Sequence, residues 1–183
     1  MANIGPTIET DRLILRPPKA EDFSGFCDLM AQDSSARFIG GVQSPALVWR
    51  TLCTMTGAWT ISGVSMFSVI EKATGNWIGR LGPWSPEGWP GTEIGWGLLP
   101  AAQGKGYATE GASAAMDYAV DILGWQEVIH CIDARNAASL KVAERLGSAY
   151  LRTTNAPPPF AETVWDIYGQ SAEDWRSRRI KPA

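Results

Sequence analysis

Along Arg12 to Arg16 (RLILR) polar and apolar residues alternate, with Leu13 and Leu15 on one side, the period of a half-buried strand. From Ala20 the period lengthens. Phe23, Phe26, Cys27 and Met30 share one face, Glu21 and Asp22 suit the positive end of a helix, and a helix is predicted from Ala20 to Met30. Ser44 as cap and Pro45 in the first turn open a second helix, which carries Val48, Leu52, Met55 and Trp59 at helical spacing. Met66 to Lys72 and Asn76 to Gly82 read as a hairpin turning through Ala73-Thr74-Gly75. The Pro/Gly-rich loop PWSPEGWPG then leads into a fourth strand, TEIGWGLL.

The clearest helical pattern runs from Gly106 to Leu123. Ala108, Ala112, Ala115, Met116, Ala119 and Leu123 step by three or four, and Gly124 stops the helix. Glu127 to Asp133 (EVIHCID) reads as a short buried strand, and Ala137 to Leu146 as a helix ended by Gly147. After a Pro157-Pro158-Pro159 turn, ETVWDIYG reads as the last strand. A C-terminal helix from Ser171 to Arg179 is capped by the S-x-x-D of Ser171 and Asp174. No repeat or linker interrupts this order, which predicts a single α/β domain over residues 1–183 with a mixed sheet.

Composition narrows the function classes. The hydrophobic content of 45% and charged content of 19% belong to a folded globular chain, and a net charge of -3 argues against a general nucleic-acid or membrane-surface binder. No apolar run approaches the ~20 residues that span a bilayer. The opening MANIGPTIETDRLILRP lacks a basic stretch followed by an apolar one. With Cys27, Cys53 and Cys131 far apart, reduced thiols in a cytoplasmic protein are expected. His130 is the sole histidine, so no His-based metal site is expected, and no G-x-S-x-G elbow supports a Ser-His-Asp triad. Trp77, Trp84, Trp89 and Trp96 cluster around the Pro/Gly-rich loop, as packing residues or as the wall of a pocket.

The stretch GWGLLPAAQGKGYATEG, Gly95 to Gly111, carries the candidate chemistry. A Walker A loop would need Gly at position 99 and Ser or Thr after Gly104-Lys105, where Leu99 and Gly106 stand. A dinucleotide fingerprint fails at its third glycine, replaced by Thr109. The physics beneath both motifs survives. A strand ends at Leu99-Pro100, the backbone turns through Gln103-Gly104-Lys105-Gly106, and a long helix begins whose first N–H groups and dipole favour an anion.

Gln103-Gly104-Lys105-Gly106-Tyr107-Ala108 resembles the Q/R-x-x-G-x-G/A signature of the GNAT superfamily of acyl-CoA-dependent N-acyltransferases. ARNAASLKVAERLG, Ala134 to Gly147, resembles that family's N-x-x-S segment. The two chain ends resemble the subgroup of ribosomal-protein N-terminal alanine acetyltransferases (RimJ/RimL-like). The resemblance implies a GNAT-like fold, with a mixed, mostly antiparallel sheet of about seven strands flanked by about four to five helices. It also implies acetyl-CoA as donor without a metal, and direct transfer to a primary amine, either a protein N-terminus or a small molecule. A monomer or homodimer is expected, without nucleic-acid or membrane partners.

Carried onto this chain, the resemblance places the coenzyme at Gln103, Gly104, Lys105, Gly106, Tyr107, Ala108 and Thr109. Its pantetheine arm would pair with backbone groups of Leu98 and Leu99 and meet Asn136 and Ser139. Lys141 and Arg145 are further phosphate contacts or a solvated helix face. Glu93 is the candidate base, its alternative being a surface carboxylate, and Glu110 a weaker one. Ser139 is the candidate partner of the leaving sulfur. Many relatives have tyrosine seven residues after the asparagine; here Ala143 stands, leaving Tyr107 or Tyr150 as substitutes. That departure motivates the alternative of a non-catalytic acyl-CoA-binding module or sensor. Cys131 beside His130 reads as inert, because adjacent strand residues face opposite ways.

Overall fold

Leu13 and Leu15 are fully buried, as their alternation requires, and the strand they define is one of eight among the described residues. The computed structural model describes residues 4–158, 160 and 163–180. Its strands are β1 (Ile8–Glu9), β2 (Leu13–Arg16), β3 (Phe67–Glu71), β4 (Trp77–Trp84), β5 (Glu93–Leu98), β6 (Glu127–Ile132), β7 (Ala149–Asn155) and β8 (Val164–Ser171). The helices are α1 (Phe23–Met30), α2 (Asp33–Ala36), α3 (Pro45–Ile61), α4 (Tyr107–Asp121), α5 (Ala137–Leu146) and α6 (Ala172–Ile180). All strands join one sheet in the order β1-β2-β3-β4-β5-β6-β8-β7, antiparallel except for β5 beside β6. A parallel neighbour needs a crossover, and α4 supplies it.

Helices cover both faces. Ala112, Ala115, Met116 and Ala119 of α4 pack in one cluster with Leu15, Phe67, Leu81 and Ile94, so the small residues of its pattern let the helix lie close to the sheet. On the other face Phe26 and Leu29 of α1 pack with Val48, Leu52 and Met55 of α3. Beneath α1, Arg16 reaches Asp22 at 2.7 and 2.8 Å, and Asp22 accepts the Ser68 hydroxyl at 2.7 Å, tying β2, β3 and the helix start together. No described helix is long and apolar enough to cross a membrane.

Most predicted elements appear within a residue or two, and the differences have local causes. Ala20–Asp22 forms a 3₁₀ turn ahead of α1, closed by the Asp22 side chain on the Lys19 N–H at 2.8 Å. Ser44 stands at the N-cap of α3 but makes no side-chain cap bond. β4 continues through Pro83 and Trp84, which were expected in the loop. Pro83 is tolerated because β3 ends opposite Leu81, so the missing N–H deprives no neighbour. β1 and α2 were not predicted, being too short to show a period. Ser171 caps α6 as expected, accepting the Asp174 N–H at 3.0 Å. Pro159 of the expected proline turn and Glu162 of the expected last strand lie outside the described residues.

Candidate active site

The glycine loop ends at α4 as the sequence requires. Gly104 and Gly106 hold φ of +75° and +83°, a left-handed backbone that side chains disfavour, and Gly106 is the N-cap. The first helical bond of α4 runs from the Glu110 N–H to the Gly106 carbonyl at 3.0 Å, so the N–H groups of Tyr107, Ala108 and Thr109 have no helical acceptor. They open on a groove of about 410 Å³ lined by Gln103, Gly104, Gly106 and, across it on α5, Asn136, Lys141 and Arg145. The last two are exposed, and their side chains border the groove. Lys105 lines a neighbouring depression instead, where its charge helps hold the Glu71 carboxyl below its usual range after the Tyr107 and Thr74 hydroxyls.

β5 and β6 are paired only at Glu93 opposite Ile129, and they splay beyond that point. Backbone direction alternates along β5. The carbonyls of Thr92, Ile94 and Leu98 turn toward the splay, where they accept from the Ile129 N–H, His130 Nδ1 and Gln103 Nε2 at 2.9, 2.7 and 2.9 Å. The Leu99 N–H turns the other way and donates to the Ile78 carbonyl at 2.9 Å. The expectation for Leu99 is therefore corrected: its N–H already serves the β4–β5 ladder. By the same alternation, the Leu98 N–H and both backbone groups of Trp96 face the splay. Gln103 contributes through its bond to Leu98, which braces the end of β5.

On the opposite side of Trp96 lies a second chamber, of about 370 Å³, lined by Glu93, Arg80, Gln43, His130 and an aromatic wall of Trp84, Trp89, Phe160 and Trp165. Trp96, Asn136 and Ser139 line both chamber and groove. Asn136 caps α5 by accepting the Ser139 N–H at 3.2 Å, and Ser139 Oγ accepts the Trp96 indole N–H at 3.2 Å. The two cavities thus meet along Trp96, Asn136 and Ser139.

Glu93 is buried at 6% exposure, so it is no surface carboxylate. Desolvation pushes its pKa from 4.5 up to about 7, against the Cys131 N–H at 3.2 Å, the Trp89 indole N–H at 2.6 Å and the charge of Arg80. A carboxyl with that pKa exchanges a proton readily at neutral pH. Glu110 does something else. It binds the Thr10 hydroxyl, the Arg12 N–H and the Arg12 guanidinium at 2.6, 2.9 and 2.6 Å, fastening the N-terminal segment to α4.

Neither substitute for the missing tyrosine reaches the junction. The Tyr107 hydroxyl donates to Glu71 and its ring lies under Arg12 at 4.5 Å. Tyr150 is exposed on β7, with its hydroxyl 2.8 Å from that of Thr153. Ala143 is fully buried. The His130 ring bonds the Ile94 carbonyl at 2.7 Å and Ser148 Oγ at 3.0 Å, and burial lowers its pKa to about 4, so it stays neutral and structural. Burial, then the adjacent Glu93 charge, pushes the Cys131 thiol far up, which makes it a poor nucleophile. Sequence reasoning missed Arg80 and Gln43. Cross-strand register brings Arg80 of β4 into the chamber of Glu93, and the path of the chain ahead of α3 brings Gln43 there.

Residues 12–149 match a family model described as an acetyltransferase (GNAT) domain. An uncharacterized protein, YkkB, of Bacillus subtilis (strain 168) is 36% identical over 93 residues, 50% of this chain and 54% of that protein. FsC-acetyl coenzyme A-N(2)-transacetylase of Aspergillus fumigatus is 35% identical over 96 residues, 50% of this chain and 40% of that protein. The matched regions span about half of these curated relatives or less. Among solved structures, an acetyltransferase from Agrobacterium tumefaciens str. C58 superposes with a TM-score of 0.78 and 29% identity, covering 90% of this chain and 94% of that one.

Proposed function

The chain belongs to the GNAT acetyltransferase family, and from that membership we propose that it is an acetyl-CoA-dependent N-acetyltransferase acting by direct transfer on a primary amine. The observation that carries the reading is the meeting of an anion-accepting groove with a carboxyl-bearing chamber at Trp96 and Ser139. The groove fits a coenzyme A pyrophosphate: three helix N–H groups without partners, glycines at positive φ that keep side chains clear, and Lys141 and Arg145 opposite. The Leu98 N–H and the backbone of Trp96 would hold the arm. When bound, acetyl-CoA supplies an activated acetyl thioester.

The protein's own part is positional and protonic. An alkyl amine with a pKa of roughly 10 reaches the site protonated and must lose a proton before it can attack. Glu93, ionised above about pH 7, takes that proton directly or through a water. Trp89 and the Cys131 N–H hold its carboxylate in place. Ser139, already accepting from Trp96, keeps its own proton free to donate to the leaving sulfur, as a hydrogen-bond donor rather than a strong acid. The remote hydroxyls of Tyr107 and Tyr150 favour the second reading, an acyl-CoA-binding module without turnover.

Thermal-shift assays with acetyl-CoA, coenzyme A, ATP and NAD separate the donor classes. A ligand at 100 times its Kd stabilises by roughly 2.7 kcal/mol, several degrees at this size. Stabilisation by the coenzyme A species alone is expected, and its absence would remove the groove assignment. Turnover of any amine, lost in Glu93→Gln, separates the enzyme from the binding module.

A further inference from the structure

Arg80 lines the chamber but takes no part in the transfer steps above. It stands on β4 opposite Gly97, and the next pair toward Glu93 on this face is Gly82 with Gly95. No side chain from these strands fills the strip between Arg80 and Glu93; the Met66 methyl packs over Gly95 and Ile39 over Gly97, so two flexible apolar side chains form its cover. The guanidinium donates to the Met66 thioether, a weak acceptor. Among the described residues it has no ion pair within 4.0 Å, although Glu93 attracts it from farther away. A partly buried cation without a carboxylate partner is costly unless something supplies one. Gln43 adds a second unmet need in the same chamber: its Oε1 is buried without a hydrogen-bond partner among the described residues.

We infer that Arg80 holds the carboxylate of the acceptor, which makes the acceptor a free amino acid with an apolar or aromatic side chain rather than a protein N-terminus. The inference rests on the acetyltransferase reading. A peptide N-terminus has a neutral amide where a free amino acid has its carboxylate, and a neutral amide leaves Arg80 unpaired. A guanidinium meets a carboxylate with two parallel hydrogen bonds, a recognition that an amide cannot satisfy. With the carboxylate there, the amine lies on the Glu93 side, and Gln43 Oε1 accepts an N–H. The side chain then rests on Trp84, Trp89 and Phe160. Such a wall suits an apolar body; of the other carboxylates that line the chamber, Asp133 is already paired with Arg135 and Glu87 is exposed to water.

The test compares L-phenylalanine, L-leucine and L-methionine with their decarboxylated amines, their amides and short peptides bearing them at the N-terminus. The readouts are kcat/KM with acetyl-CoA and calorimetric binding, in wild type, Arg80→Gln and Arg80→Lys. The wild type should prefer each amino acid over its decarboxylated amine and its amide by roughly ten- to hundredfold, the range of a charge-assisted hydrogen bond. Arg80→Gln should reduce that ratio toward one, and Arg80→Lys should restore only part of it, because an ammonium keeps the charge but not the paired hydrogen bonds. Stabilisation by acetyl-CoA reports that each variant is folded. Equal efficiency with and without the carboxylate, a ratio unchanged in Arg80→Gln, or turnover confined to peptides would overturn the proposal. If acetyl-CoA binds and no amino acid is bound or turned over, the donor site stands and the Arg80 assignment falls. If acetyl-CoA does not bind, the transferase reading fails, and calorimetry of the amino acids with wild type and Arg80→Gln still decides whether Arg80 holds a carboxylate.

Discussion

Replacing Glu93 by glutamine should make the protein inactive and, at alkaline pH, more stable. Burial raises this carboxyl from its ordinary 4.5 to about 7, so the folded state favours the protonated form. Below pH 4.5 both folded and unfolded chains carry it neutral, and burial of the neutral acid costs little. Between pH 4.5 and about 7 the unfolded chain ionises while the folded one resists, and stability falls. The loss is complete above pH 7. Two and a half pH units at about 1.36 kcal/mol each give roughly 3 kcal/mol. Glutamine keeps the shape and the acceptor oxygen for Trp89 but cannot ionise. Urea unfolding of wild type and Glu93→Gln at pH 4.5 and pH 8 should therefore give a difference that shifts by roughly 3 kcal/mol in favour of the variant as pH rises. The acid limb of kcat/KM should have its midpoint near pH 7 in wild type. Trp89→Phe, which removes the 2.6 Å bond to the ionised form, should move that limb to higher pH by about one unit. A difference independent of pH, or a limb near pH 4.5, would refute the buried-carboxyl argument.

Gly106→Val places a β-branched residue at φ +83° on the N-cap of α4, and acetyl-CoA affinity by calorimetry should weaken by roughly five- to 150-fold, the effect of about 1–3 kcal/mol of backbone strain. Asp22→Ala should destabilise by about 3 kcal/mol in urea titrations, because it leaves Arg16 without its buried partner. Burial alone would raise the Asp22 carboxyl, but Arg16, Ser68 and the Lys19 N–H outweigh it and hold it below its ordinary value. This contribution is present above pH 3.8 and lost below it, so the gap between wild type and Asp22→Ala should close in acid. Iodoacetamide at pH 8, read by peptide mass spectrometry, should label exposed Cys53 and spare Cys131, whose thiol is held protonated; rapid labelling of Cys131 would reopen a covalent intermediate.

Local signals explain what the sequence by itself determined. Helix periods reach four residues and caps reach three, so α3, α4 and α5 were legible, down to the buried Val48, Leu52, Met55 and Trp59. The glycine loop was legible because its glycines, a helix start and the failure of the competing motifs all lie within one stretch. Family resemblance joined that loop to Asn136 and Ser139, and the fold brings them to one groove. Tertiary structure alone decided the rest, because strand register and splay depend on residues far apart in the chain. Register turned Leu99 toward Ile78, and the splay left Trp96 open. Burial of Glu93 between Trp89 of the tryptophan loop and the Cys131 backbone of β6 stripped water from it, converting an ordinary glutamate into a group that titrates near neutrality. Pairing of β4 with β5 put Arg80 and Glu93 on one face of a glycine-floored chamber, a juxtaposition that no local period encodes.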